Sequence, residues 1–189
     1  GAVLSFTTGA PAATTIDATD IGGTSATLNG NVNANNTSNS AVSFCYSTAA
    51  TATNGVLDTC NVGTASIATI SGNADQAETS SITGLTNGTT YYFQVKVLTI
   101  SNVSAYGSIL QFTTLGITTS SLVNGATGTF YSASLAGTGG SNTYTWSTSS
   151  SLPPGMTLGS NGLLSGTPTQ SGTYSLVIVM TDPLTNLTV

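Results

Sequence analysis

The side chains capable of chemistry are few: carboxylates at Asp17, Asp20, Asp58, Asp75, Glu78 and Asp182, one lysine at Lys96, two cysteines at Cys45 and Cys60, and no histidine or arginine in 189 residues. Without histidine, Ser-His and Cys-His nucleophilic catalysis and histidine-ligated metals are excluded. Without arginine or a basic patch, phosphate clamps and a nucleic-acid footprint are excluded as well. What remains is acid–base work by paired carboxylates, which needs two acids several ångströms apart in a cleft. Asp17 and Asp20 flank a turn, where short acids bond nearby backbone amides. Asp75 and Glu78 fall in the turn region after Ser71 and are expected to be solvated, and Asp182 lacks the partner ligands that a calcium site needs. The chain reads as no enzyme, with no cofactor and no metal.

Cys45 and Cys60 stand fifteen positions apart. A disulfide between them is expected, with two buried free thiols as the alternative; two sulfurs without histidine fill only half of a zinc tetrahedron. Five Asn-x-Ser/Thr sequons offer glycosylation at Asn35, Asn36, Asn87, Asn102 and Asn186. Tyr92, Tyr106 and Trp146 are candidates for sugar stacking, but Trp146 lies two residues from Tyr144, and core packing is the favoured reading.

Composition sets the frame for these residues. Charged residues make up 4% of the chain, where roughly 25% is usual, and the net charge is −5. Ser and Thr supply 63 residues, so hydroxyls rather than charges solvate the surface. Because 39% of the residues are hydrophobic, a core can form and disorder is not expected. The longest apolar run, Leu176 to Met180, is too short for a membrane span of roughly 18 residues. The sequence opens without a signal-peptide pattern and is expected to be a processed, secreted or cell-surface chain.

Period-two alternation places the elements. Ser25 to Val32 puts Ala26, Leu28 and Val32 on one face and Thr27, Asn29 and Asn31 on the other. Ala41 to Ser47 sets Val42, Phe44 and Tyr46 inward against Ser43, Cys45 and Ser47 outward. Tyr91 to Leu98 turns Tyr91, Phe93, Val95 and Val97 inward, with Tyr92, Gln94 and Lys96 outward. Tyr174 to Asp182 reads as one strand. No helical stripe occurs, and the fold class is all-β, antiparallel and sandwich-like.

Two family resemblances refine this. Ala18-Thr19-Asp20-Ile21, Ser25-Ala26-Thr27-Leu28-Asn29-Gly30, Leu85-Thr86-Asn87-Gly88-Thr89-Thr90-Tyr91-Tyr92-Phe93 and Phe112-Thr113-Thr114 resemble a prokaryotic fibronectin type III domain over residues 10–115. That resemblance implies a tyrosine corner at Leu85 and Tyr91; Leu28 departs from the tryptophan many members carry. Tyr131-Ser132-Ala133-Ser134-Leu135, Tyr144-Thr145-Trp146, Leu152-Pro153-Pro154-Gly155-Met156, Gly162-Leu163-Leu164-Ser165-Gly166-Thr167-Pro168 and Gly172-Thr173-Tyr174 through Asp182 resemble the Ig-like domains of bacterial and archaeal surface proteins, over residues 116–189. The resemblance implies a closing strand after Asp182, for which only Pro183 to Val189 remains.

An internal copy suggests where that strand comes from. Gly1-Ala-Val-Leu-Ser-Phe-Thr-Thr8 matches Gly107-Ser-Ile-Leu-Gln-Phe-Thr-Thr114 at five of eight positions, and the second copy is the last strand of the fibronectin-like domain. Residues 1–9 therefore read as a spare strand, with Ala2, Val3, Leu4, Ser5, Phe6, Thr7 and Thr8 donated to a neighbouring subunit. The acceptor groove is expected along Tyr174, Leu176, Ile178 and Met180. The function expected is a structural subunit of an extracellular filament, built of identical chains head to tail and carrying covalent glycans. A segment of a long tandem-domain adhesin or S-layer-associated protein is the alternative. A spacer or sugar-binding module of a secreted enzyme is a more distant one.

Overall fold

The computed structural model describes residues 3, 4 and 9–189. Among them there is no helix, and the strands pair antiparallel. The chain divides into two compact units.

The first unit carries β1 (Ala12–Thr19), β2 (Ser25–Asn33), β3 (Ser40–Ser47), β4 (Ala52–Thr53), β5 (Val56–Leu57), β6 (Asn61–Ile70), β7 (Gln76–Thr83), β8 (Thr90–Leu98), β9 (Ser104–Tyr106) and β10 (Leu110–Thr113). One sheet runs β1-β2-β7; the other runs β10-β8-β3-β6, with β9 also on β8. The alternation seen in the sequence is what closes it: Ala26, Leu28 and Val32 of β2, Phe44 of β3, and Phe93, Val95 and Val97 of β8 are all buried. Phe112 of β10 completes this core, stacked on Tyr91 with ring centroids 5.6 Å apart and edge-on to Phe93 at 5.8 Å.

Three residues read as outward on β3 and β8, namely Cys45, Ser47 and Gln94, are buried. Cys45 and Gln94 sit on the outward face of their sheet, as their parity requires, yet Gln94 is fully buried and Cys45 nearly so. The cause is the segment from Thr48 to Cys60, with its β4-β5 hairpin, which folds over that face. Gln94 Oε1 accepts the Leu57 N–H at 2.8 Å, and its Nε2 donates to the Gly55 and Gly107 carbonyls at 3.0 Å each. A Cys45–Cys60 disulfide pins the end of the segment, with Cα atoms 5.1 Å apart.

The second unit comprises residues 113–189 with the loops 20–25 and 84–89. The Gly22 carbonyl accepts the Leu115 N–H at 3.0 Å, and the Leu115 carbonyl accepts the Gly88 N–H at 3.1 Å. Its strands are β11 (Gly116–Ile117), β12 (Tyr131–Ser134), β13 (Gly137–Thr138), β14 (Thr145–Thr148), β15 (Met156–Leu158), β16 (Leu163–Gly166) and β17 (Ile178–Thr181). They form the sheets β11-β13, β12-β16-β15 and β14-β17 around Leu115, Leu135, Trp146 and Met180. Trp146 is thus a core residue and presents no stacking face. The expected strand Tyr174–Asp182 is shorter than the sequence suggests: only Ile178–Thr181 is extended and paired, and residues 171–177 belong to no strand.

Candidate assembly groove

The groove begins at Asp182, which is 1% exposed. Its carboxylate accepts the Ser141 N–H at 2.7 Å, the Ser141 hydroxyl at 2.8 Å and the Leu184 N–H at 2.9 Å. Burial pushes this carboxyl up, but hydrogen bonds from Ser141, Leu184 and Thr185 outweigh it and hold the group below the ordinary carboxylate range. Asp182 therefore ties the Ser141 loop to the turn at Leu184. Gly140 packs against it at φ +57°, and a Cβ there would lie 2.4 Å from Oδ2, so only glycine fits.

The turn held by Asp182 sends the chain back along β17. The Asp182 N–H donates to the Leu187 carbonyl at 2.9 Å, Met180 and Val189 exchange both N–H···O bonds at 3.0 Å, and Thr188 bridges to Thr181. Leu187 and Val189 pack against the core cluster. Residues 187–189 are thus the start of a closing strand, which the sequence had shown only as a remnant. Met180, expected in the groove, is fully buried in the core, and its backbone edge is already taken by Val189.

Beyond Val189 the track along residues 174–178 continues, on the edge away from β14, without a neighbouring strand among the described residues. Val177 turns its N–H to the Ser150 hydroxyl and its carbonyl to the Thr148 hydroxyl. By the alternation of an extended chain, Leu176 and Ile178 direct their amides and carbonyls to the opposite edge. Two adjoining cavities open along that edge. One of about 480 Å³ is lined by Ile117, Leu122, Leu135, Leu176 and Ile178 together with the hydroxyls of 119–121. The other, about 530 Å³, is lined by Tyr131, Met156, Leu164, Tyr174 and Leu176 among others. Tyr174, Leu176 and Leu122 belong to both. The buried Tyr131 hydroxyl has no hydrogen-bond partner among the described residues.

Of the expected donor segment, Ala2, Ser5, Phe6, Thr7 and Thr8 lie outside the described residues, and Val3 and Leu4 are almost fully exposed. The sequons separate into two kinds. Asn36, Asn87, Asn102 and Asn186 are exposed, whereas Asn35 is half-buried and its Nδ2 donates to the Ala10 carbonyl.

Asp75 and Glu78 are held by neighbours in the first unit. Asp75 is exposed and accepts from Asn33 Nδ2 at 2.8 Å. Glu78, expected to be solvated, is 1% exposed. It shares the inward face of β7 with Ser80 and Ile82, and its Oε2 accepts the Ser66 hydroxyl and the Ile67 N–H, each at 2.8 Å. The period of two running back from Ile82 is the signal that places it inside. Among the described residues, no group of three acid, cysteine or histidine side chains could hold a metal.

Comparison with known proteins bears on the second unit. A search of curated proteins gave no match. Two solved structures are similar over part of the chain: the short and long forms of the sensor domain of the anti-sigma factor RsgI4 from Pseudobacteroides cellulosolvens. Both are 24% identical; the short form covers 57% of this chain and 97% of its own at a TM-score of 0.38, the long form 59% and 96% at 0.37. Likenesses at that level carry no argument about function. Residues 113–189 match the family model described as "Putative Ig domain", so this part of the chain is similar to Ig-like domains.

Proposed function

We propose that this chain is a non-catalytic structural subunit of an extracellular filament, in which residues 1–8 of one copy complete the Ig-like domain of the next. The observation that carries the reading is the apolar track along Tyr174, Leu176 and Ile178, which continues the line of Thr188–Val189 and, on the edge away from β14, has no strand beside it among the described residues. A sheet edge of this kind invites an added strand. The donor sequence suits it, because its internal copy at 107–114 already closes a core in this molecule through buried Phe112. Burial of Leu4 and Phe6 contributes roughly 1.5 to 3 kcal/mol each, with main-chain pairing added. A contact between two different surfaces of one chain need not close, so its repetition gives a fibre.

The first unit supports the resemblance to fibronectin type III, since its three-stranded β1-β2-β7 sheet and its second sheet of β10-β8-β3-β6 follow that family's two-sheet plan. The disulfide and the exposed sequons fit an oxidising, extracellular setting. One observation also favours a tandem surface protein: Val189 runs directly into the track, so a longer polypeptide could fill its own groove. Intact mass of the natural assembly separates the two. A mass near 18.7 kDa plus glycans supports the subunit, and a repeat of many such segments in one chain supports the array. Deleting residues 1–8, or changing Leu4 and Phe6 to Asp, should leave folded monomers that do not elongate; filaments of normal length from either variant would defeat the proposal.

A further inference from the structure

The strand already in place fixes more than the existence of a groove. Met180 and Val189 exchange both backbone hydrogen bonds, Thr181 lies opposite Thr188, and Asp182 N–H bonds Leu187. Hydrogen-bonded and non-hydrogen-bonded pairs therefore alternate in a known phase along this edge. Extended down the track, Ile178, Leu176 and Tyr174 occupy hydrogen-bonded positions, and Val179, Val177 and Ser175 occupy the others. Val177 agrees independently, since its amide and carbonyl already turn the other way, to Ser150 and Thr148.

Resting on the donor-strand reading above, we infer that residues 1–8 of a second copy enter this groove in one register, with Ala2 opposite Ile178, Leu4 opposite Leu176 and Phe6 opposite Tyr174. Three observations select it. Directly opposed residues of an antiparallel pair share a face, and Leu176 and Tyr174 line the cavities. A shift by one residue would therefore bring Val3 and Ser5 inward and turn Leu4 and Phe6 out. A shift by two toward β17 would set Ala2 opposite Met180, a place Val189 holds. A shift by two the other way would set Phe6 opposite Gly172 and leave only Ala2 and Leu4 to cover Leu176 and Tyr174.

The chosen register also matches the groove's contents. Ala2 enters the smaller cavity, which Ile178 lines, and Leu4 and Phe6 enter where Leu176 and Tyr174 border both cavities. A Phe6–Tyr174 pair reproduces the Phe112–Tyr91 stack that the internal copy of the donor makes in the first unit. The Tyr131 hydroxyl, buried beside the larger cavity without a partner among the described residues, is placed to meet the polar groups of the entering strand.

Paired cysteines test the register without disturbing the apolar face. Val3 and Val177 would form an outward-facing, non-hydrogen-bonded pair, as would Ser5 and Ser175, at the close Cα separation of about 4.5 Å that a disulfide accepts. Full-length chains carrying Val3→Cys or Ser5→Cys are mixed with chains carrying Val177→Cys or Ser175→Cys, assembled, oxidised mildly and mapped under non-reducing conditions. Intermolecular links should form for Val3 with Val177 and for Ser5 with Ser175, at least tenfold more than for the crossed combinations. Filaments in which the crossed pairs link preferentially, or in which none of the four links forms, would overturn this register while leaving strand donation standing. An unmodified full-length chain that never assembles at any concentration tested would overturn donation itself.

Discussion

Asp182 ties the loop at Ser141 to the turn that returns Leu187–Val189 to β17, and it does so as an anion taken out of water. Hydrogen bonds to a charged group are stronger than neutral ones, and losing the charge leaves three donors facing a weaker acceptor. Asp182→Asn, nearly the same shape, should lower stability at neutral pH by on the order of 2 kcal/mol. The pH dependence follows from the direction of the shift. A carboxyl held below its ordinary range stabilises the fold above that range, and the contribution is lost as pH falls through its depressed folded value. The gap between wild type and Asp182→Asn in thermal unfolding should therefore be widest near neutrality and close in strong acid. A gap that stays constant across that range would show that the charge is not what matters.

At the scale of the element, the segment from Thr48 to Cys60 acts as a roof. Its two-residue strands β4 and β5 are too short to hold a place by themselves, so the disulfide and the two hydrogen bonds that Gln94 makes to Leu57 and Gly55 hold it. Replacing Cys45 and Cys60 with Ala should cost roughly 3 kcal/mol by the chain-entropy model for a loop of this size. Amides of 52–58 should then exchange with solvent faster than those of β3 and β8; unchanged protection in that segment would refute the roof. This element also marks what sequence could and could not reveal. The faces of β2, β3 and β8 were legible because one side of each is apolar, and Leu28, Phe44 and Phe93 lie where alternation puts them. The roof was not, because Thr-Ala-Thr-Asn-Gly-Val-Leu carries no periodicity, and so the parity of Cys45 and Gln94 was read correctly while their burial was missed. That the chain after Asp182 is short of a full closing strand was read from the family resemblance. What the remaining residues do was not: Leu187–Val189 pair with β17, Met180 is core, and Tyr174–Val177 lack strand pairing because an extended segment needs a neighbour on its open edge to be held as one.

The whole molecule is governed by scarcity of charge. With six acidic side chains, one basic one and no histidine, few groups can change protonation between the folded and unfolded chain, and pH acts on stability only through such differences. The same scarcity holds at the proposed joint. Residues 1–8 and 174–178 contain no acidic or basic side chain, so apart from the chain termini of the 1–189 subunit, assembly there draws on apolar burial and main-chain hydrogen bonds. Interactions of that kind are not screened by salt, whereas ionic contacts weaken as the Debye length shrinks from about 10 Å at 0.1 M toward about 3 Å at 1 M. Both the fold and the elongation of filaments should accordingly be nearly indifferent to ionic strength between 0.05 and 1 M, and to pH from neutrality to about pH 3. Asp182, whose carboxyl stays ionised below the usual range, delays the first loss. Circular dichroism for the subunit and light scattering for the polymer, followed across both series, measure this. A cooperative transition near pH 4 to 5, or elongation that slows several-fold as salt is raised, would place charged groups at the joint and overturn the apolar account of it.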